Sequence, residues 1–185
     1  MKRVVALVLA ATLALPAFAA LKPGAKAPMF TAPAFLAGKA FTFDLAAALK
    51  KGPVVVYFFP AAFTPGCNVE AATFSQAIGK FQAQGASVIG VTAGNTERLA
   101  EFSQDTEKCA GKFPVAADAG AKIAKSFDAT MTLKPDLASR TSYVIAQDGR
   151  IAFVHDAMNP NLHVKETLAA VTALKAKSKS KSKHH

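Results

Sequence analysis

The sequence predicts a single α/β domain with a mixed central sheet, and three observations lead there. Short apolar runs alternate with amphipathic stretches, in the order β-α-β-α-β-α-β-β-α, with no internal repeat. The run Val54–Phe59 is β-branched and aromatic throughout and reads as a strand buried on both faces. An Asp148-Gly149 pair between two apolar runs marks an antiparallel hairpin, which mixes the strand directions. At 185 residues and 51% hydrophobic, the chain is long and apolar enough for one substantial core and is no disordered chain.

The elements follow in order. Residues 1–20 read as a cleaved secretory signal peptide: Lys2 and Arg3 are basic, Val4 to Leu15 are apolar, and Ala17-Phe18-Ala19 gives a small-x-small cleavage site. A membrane anchor would need a longer apolar run and a following charge cluster. The chain is therefore expected to be exported, periplasmic or secreted, with residues 21–174 as the folded domain. Leu21 to Leu36, rich in Pro and Ala, reads as an irregular lead-in, and Ala40-Phe41-Thr42-Phe43 as a short strand. Asp44 caps a short helix through Leu49, ended by Gly52-Pro53. The central strand follows and stops at Pro60, which cannot donate to a ladder.

Beyond a short loop, Ala71, Phe74, Ile78 and Phe81 recur at helical spacing, and Gly85 closes that helix. Ser87 to Thr92 is a second buried strand. Asn95 or Thr96 caps a helix with Leu99 and Phe102 inward, running to about Lys108. Phe113 to Ala116 is a short strand, placed near an edge by Pro114. Ile123 and Phe127 mark a short helix, and Ala129 to Ser139 a loop. The hairpin pairs Thr141–Ala146 with Ile151–His155. Asn159-Pro160 starts the last helix, whose apolar face is Val164, Leu168, Val171 and Leu174.

The formal charge is +10. Most of that excess comes from Lys2, Arg3 and the tail lysines Lys175, Lys177, Lys179, Lys181 and Lys183, so it does not argue for a nucleic-acid-binding fold, and no nucleic-acid partner is expected. Residues 175–185 alternate Lys with Ser or Ala, have no apolar period and are expected to form a disordered basic tail. Such a tail is usually solvated, and it could also touch an anionic surface.

Cys67 falls in the first turn of a helix directly after a buried strand. Unpaired N–H groups and the positive helix end favour an anion there, and thiolate over thiol. A buried, inert cysteine is the other common fate of such a residue.

Pro60-x-x-x-Thr64-x-x-Cys67 matches the active-site motif of the peroxiredoxins. With Phe63-Thr64-Pro65-Gly66-Cys67 and Glu70, and Arg140-Thr141-Ser142 far downstream at a strand start, the chain most resembles the Q-type group, the bacterioferritin comigratory proteins. The resemblance covers Gly24 to Leu174. It implies a thioredoxin-like fold, no metal or organic cofactor, and thiol-dependent reduction of hydrogen peroxide and organic hydroperoxides.

It also implies the roles. Cys67 is the nucleophile that becomes a sulfenic acid. Thr64 sets a hydroxyl beside the sulfur and the incoming peroxide. Arg140 is a permanent cation that favours thiolate and steadies the leaving oxygen. Pro60 walls the pocket. Glu70 either pairs with a basic partner near the site or only favours the first helix turn. His155 and His163 read as isolated and structural.

Many Q-type members carry a resolving cysteine five residues after the nucleophile, where this chain has Ala72. Others carry it on the next helix, which implies Cys109, the only other cysteine, as the partner in an intramolecular disulfide. The expected partners are a hydroperoxide and a thiol reductant, either a thioredoxin-like protein or glutathione, with the chain a monomer or homodimer.

Two rivals share the fold class. A thiol–disulfide oxidoreductase would want Cys-x-x-Cys, but Cys67-Asn68-Val69-Glu70 lacks the second thiol. A copper carrier would want Cys-x-x-x-Cys, but Ala71 stands four residues on.

Overall fold

The computed structural model describes residues 20–182. The signal peptide expected at residues 1–20 lies almost wholly outside the described residues. Among the described residues nine strands and five α-helices follow in chain order. The strands are β1 (Thr31–Leu36), β2 (Lys39–Asp44), β3 (Val54–Phe58), β4 (Ser87–Thr92), β5 (Val115–Ala117), β6 (Thr130–Met131), β7 (Lys134–Ala138), β8 (Thr141–Ile145) and β9 (Ile151–Asp156). The helices are α1 (Leu45–Leu49), α2 (Pro65–Ala83), α3 (Leu99–Gln104), α4 (Lys122–Ser126) and α5 (His163–Ser182).

The main sheet has seven strands in the order β2-β1-β5-β4-β3-β8-β9. β3, β4 and β5 run parallel, while β8 pairs antiparallel with both β3 and β9. β3 is the middle of this arrangement and every one of its residues is buried. Its side chains alternate between two cores, as strand geometry requires. Val54, Val56 and Phe58 join Leu45, Ile89, Phe127 and Tyr143 on the α1/α4 side. Val55, Tyr57 and Phe59 join Phe74, Phe81, Leu99, Phe102 and Val171 on the side of α2, α3 and α5. Both faces are covered, which is why β3 reads as a continuous apolar run rather than an alternation.

Several expectations need correction. The lead-in contains β1, which pairs with β2 through Thr31↔Asp44 to Leu36↔Lys39. Its exposed positions carry Pro33 and Leu36, so no period-2 contrast shows in the sequence. The strand at Val115 is interior, between β1 and β4; Pro114 precedes it and its carbonyl accepts from Gly90 N–H. The segment expected as a loop at Ala129 to Ser139 folds as a small β6–β7 hairpin.

α3 stops at Gln104, four residues short of Lys108. Asp105 leaves the helical region, and its side chain accepts from Glu107 N–H at 2.8 Å. The chain from Asp105 to Lys112 then makes tight turns, with Ala110 and Gly111 at positive φ. Finally, α5 continues through Lys175 to Ser182, where a disordered tail is expected. Alanine and lysine are strong helix formers, and Lys175 Nζ ties the segment to α2 by donating to Ala83 O. Ser178 and Ser180 hydroxyls donate back to Lys175 O and Lys177 O.

Candidate active site

The site is built where β3 hands over to α2. Thr64 is the N-cap of α2 in extended backbone, and Pro65 opens the helix where its missing N–H is no loss. Cys67 is the third helical residue, inside the turn whose N–H groups lack intrahelical acceptors. Its side chain is buried, at 1% exposure. The loop before it is pinned from several sides. Thr92 Oγ1 donates to Pro60 O at 3.1 Å, Asn95 Nδ2 to Ala62 O at 2.8 Å, and Ala62 N–H to Gly94 O at 3.2 Å. A side chain at Gly94 would put Cβ 2.5 Å from Pro60 O, so the close approach needs glycine.

Phe63 takes a left-handed conformation (φ 61°), uncommon for a bulky residue. Its ring packs edge-on to Phe102 at 5.2 Å, and the Arg98 guanidinium lies 3.8 Å from its centroid. Thr64 Oγ1 donates to Ala61 O at 3.0 Å, which aims its proton into the loop and leaves oxygen lone pairs free to accept.

Arg140, at the start of β8, closes the site. Its Nη2 lies 3.5 Å from Cys67 Sγ, its Nε donates to Met158 O at 2.9 Å, and its Nη1 donates to Glu70 Oε2. Three contacts, two to α2 and one to the segment after β9, fix the guanidinium plane against the sulfur. Gly66 makes room for it: a Cβ there would sit 2.9 Å from Arg140 Nη2. Burial works to lower the Arg140 pKa, but Glu70 and Cys67 beside it raise it, so the cation is permanent. Burial pushes Glu70 up to about 8, against the opposing pull of Arg140.

Glu70 therefore pairs with a basic partner at the site, the first of the two roles its sequence position allows. The histidines are not isolated. His155 and His163 stack edge to face at 4.5 Å, and His163 Nδ1 lies 3.5 Å from Glu70 Oε1. Nothing in the spacing of Ser142, His155 and His163 signals this cluster; only the neighbouring places of β8, β9 and the start of α5 create it. Met158 O and Gly66 were equally hidden as site-builders, since one acts through its backbone and the other through an absent side chain.

Cys109 lies in the turns after α3, fully buried in the same core cluster as Cys67, Tyr57 and Phe102. Both thiols are free. Burial, and then the charge of Asp105, push the Cys109 thiol far above its ordinary range, so it is held as neutral thiol. Pro60 sits at the end of β3, with its carbonyl engaged by Thr92. Arg140 thus contacts both Cys67 and Glu70, Thr64 caps the same helix, and Cys109 belongs to the same core cluster as Cys67. Among the described residues no cluster of three or more His, Cys, Asp or Glu side chains is arranged to hold a metal ion.

Comparison with known proteins gives concordant similarities. The AhpC/TSA family model matches residues 23–154. Peroxiredoxin Q, chloroplastic, of Sedum lineare is 34% identical over 127 residues, covering 68% of this chain and 67% of that protein. The chloroplastic peroxiredoxin Q of Oryza sativa subsp. japonica is 33% identical over 126 residues, covering 68% of this chain but 57% of its own length. Among solved structures, peroxidoxin BcpB from Mycobacterium tuberculosis superposes with a TM-score of 0.73 at 27% identity, over 83% of this chain and 98% of that one.

Proposed function

The chain belongs to the AhpC/TSA family, with a thioredoxin-like fold, and on that premise we propose that it is a thiol-dependent peroxiredoxin in which Cys67 attacks the peroxide. The observation that carries this reading is the buried contact between Arg140 Nη2 and Cys67 Sγ at the positive end of α2. Cys67 thiolate attacks the distal oxygen of a hydroperoxide, hydrogen peroxide or organic, and displaces the other oxygen. The S–O bond forms as the O–O bond breaks, and the departing oxygen leaves as water or alcohol after taking a proton. Arg140 and the helix N–H groups lie where negative charge moves from sulfur to oxygen. Thr64 Oγ1 supplies an acceptor for the proton of the incoming peroxide, and Pro60 walls the pocket. No metal or organic cofactor takes part.

The sulfenic acid at Cys67 is then attacked by the Cys109 thiol, releasing water and leaving an intramolecular disulfide. Cα atoms must come within about 7 Å for that bond. To reach that distance the hydrogen-bonded turns of Asp105 to Lys112, the first turn of α2, or both, have to open locally, and such openings come from the low-stability end of a fold. A thiol reductant, a thioredoxin-like protein or glutathione, then returns both cysteines to thiols. The chain works as a monomer or homodimer.

Export to a periplasmic or extracellular compartment rests on the leader in residues 1–20. The plant relatives carry chloroplastic names, which favours a targeting segment without naming this compartment. N-terminal sequencing of native protein should start at Ala20 or Leu21; retained Met1 to Leu15 would refute export.

The activity test is hydroperoxide consumption with dithiothreitol. Cys67→Ser should abolish it, and Arg140→Ala should slow it by about 10²-fold, as for other preorganised charge stabilisers. Wild-type turnover by Cys67→Ser would remove the assignment.

A further inference from the structure

The polar cluster behind Arg140 has a proton-counting problem that the peroxidase reading does not address. His163 is fully buried, and its Nε2 lies 2.8 Å from Ala157 O. A carbonyl only accepts, so Nε2 carries the proton and a neutral ring leaves Nδ1 as an acceptor. Burial lowers the His163 pKa to about 4, with His155 and Arg140 adding to the effect, which keeps the ring neutral. Glu70 Oε1 faces that bare nitrogen at 3.5 Å and has no hydrogen-bond partner of its own. A carboxylate oxygen opposite an imidazole lone pair, both out of water, sets acceptor against acceptor. Ser142 Oγ, buried and 2.8 Å from the same nitrogen, is the other hydroxyl that this lone pair serves.

We propose that Glu70 carries a proton on Oε1, directed at His163 Nδ1, and that His163 is a positioning residue for the peroxidase reaction because it holds that proton in place. The proposal rests on the peroxidatic reading of Cys67. Glu70 Oε2 then accepts from Arg140 as a neutral carbonyl. An ionised Glu70 would cancel the guanidinium charge a few ångströms from the sulfur. A protonated Glu70 still accepts from Arg140 and leaves its whole charge to act on the Cys67 thiolate. The pair is thus an orienting clamp that does not neutralise what it orients.

Other titratable and charged groups face this pair from several packed elements. Cys67 lies on α2 with Glu70, Arg140 precedes β8, and His155 comes from β9. Tyr57, from β3, is near enough that the Glu70 charge raises its pKa, though burial is the larger cause. Asp156, also on β9, is turned to Thr141 Oγ1 at 3.0 Å. Burial raises Glu70 to about 8, so the proton is present at neutral pH and lost above it.

The test uses the intact reduced protein. Carbon-13 NMR of the Glu70 carboxyl, assigned with Glu70→Gln, should report a protonated acid at pH 6 that ionises near pH 8. Nitrogen-15 NMR of His163 should report the neutral Nε2–H tautomer across that range. Ionised Glu70 at pH 6, or a His163 imidazolium, overturns the proposal without touching the peroxidase assignment.

The link to Cys67 is read by the pH profile of its alkylation, which needs no peroxide. His163→Phe removes the acceptor and should shift the midpoint upward by roughly one pH unit. His163→Asn, which restores an acceptor at the Nδ1 position but does not titrate, should return the wild-type midpoint. A wild-type profile in folded His163→Phe, or an Asn variant as shifted as Phe, overturns the positioning role.

Discussion

At the scale of single residues, the site is defined as much by what is absent as by what is present. Thr64 and Cys67 were singled out by a motif on a strand, a loop and a helix, and Arg140 by its place at a strand start far downstream; the fold puts Arg140 against Cys67. Gly66 sits inside that motif, yet its function is visible only in space, where Arg140 Nη2 occupies the room a Cβ would need. Gly66→Ala is expected to keep the fold, since the position is helical and near the helix start. It should nonetheless displace a guanidinium already committed to Cys67, Glu70 and Met158. The peroxide rate constant should fall by ~10–10²-fold, within the range for losing one preorganised donor. Unchanged kinetics in a variant with a wild-type melting curve would show that Arg140 tolerates the intrusion. His163 was read from the sequence as structural, a reading that missed its contact with Glu70. A histidine opening a helix carries no local sign of what lies across the neighbouring strands.

At the scale of elements, the strands buried on both faces were the clearest in the sequence, and the elements with mixed faces were the least. β4 was delimited as Ser87 to Thr92 from its apolar run alone. β1 was hidden because Ala, Pro and Leu fill its outward as well as its inward positions. α3 was overextended because Asp105, a residue that hydrogen-bonds its own backbone, breaks the helix early. Cys109 therefore sits in hydrogen-bonded turns after α3 rather than on that helix.

The turns are coupled to the active-site loop through Phe63, clasped by Phe102 of α3, by Arg98 just before it, and by Lys108, 5.7 Å from the ring centroid. Any movement that joins Cys67 to Cys109 must loosen this clasp. Arg98→Ala removes a partly exposed cation–π contact worth about 0.5–1 kcal/mol, a factor of about 2–5 in an opening equilibrium. Disulfide formation after a peroxide pulse should therefore speed up by about that factor, as followed by stopped-flow fluorescence or acid-quenched mass analysis. A rate unchanged or slowed in Arg98→Ala would mean that the clasp is not part of the opening.

At the scale of the whole molecule, two buried titrating groups give the stability a definite pH dependence. Glu70 is raised from 4.5 to about 8 in the folded state, so its contribution is fully present below 4.5 and is lost as pH rises toward 8. His163 is lowered from 6.5 to about 4, so its contribution is present above 6.5 and is lost as pH falls toward 4. The two oppose each other between 4.5 and 6.5, and above 6.5 only the Glu70 loss remains. Urea midpoints of the reduced protein should hold roughly level across the acid window and decline from pH 6.5 to about 8, and Glu70→Gln should remove that decline. A midpoint that rises over the same alkaline range would contradict the buried, proton-binding Glu70.

The overall architecture was readable because alternating strands and helices leave few topologies, and the Asp148-Gly149 hairpin placed β8 and β9 together. The C-terminal end was misjudged because lysine and serine in alternation carry no apolar period, although α5 extends through them to Ser182. The account as a whole depends on Cys67 being the atom that meets peroxide. Its most direct measurement is trapping with a sulfenic-acid reagent after one equivalent of hydrogen peroxide, in a Cys109→Ala variant that cannot form the disulfide. The account predicts one adduct per chain, on the peptide containing Cys67, forming as fast as peroxide disappears. Peroxide consumption with Cys67 left unmodified, or no consumption by the reduced wild-type protein, would contradict it.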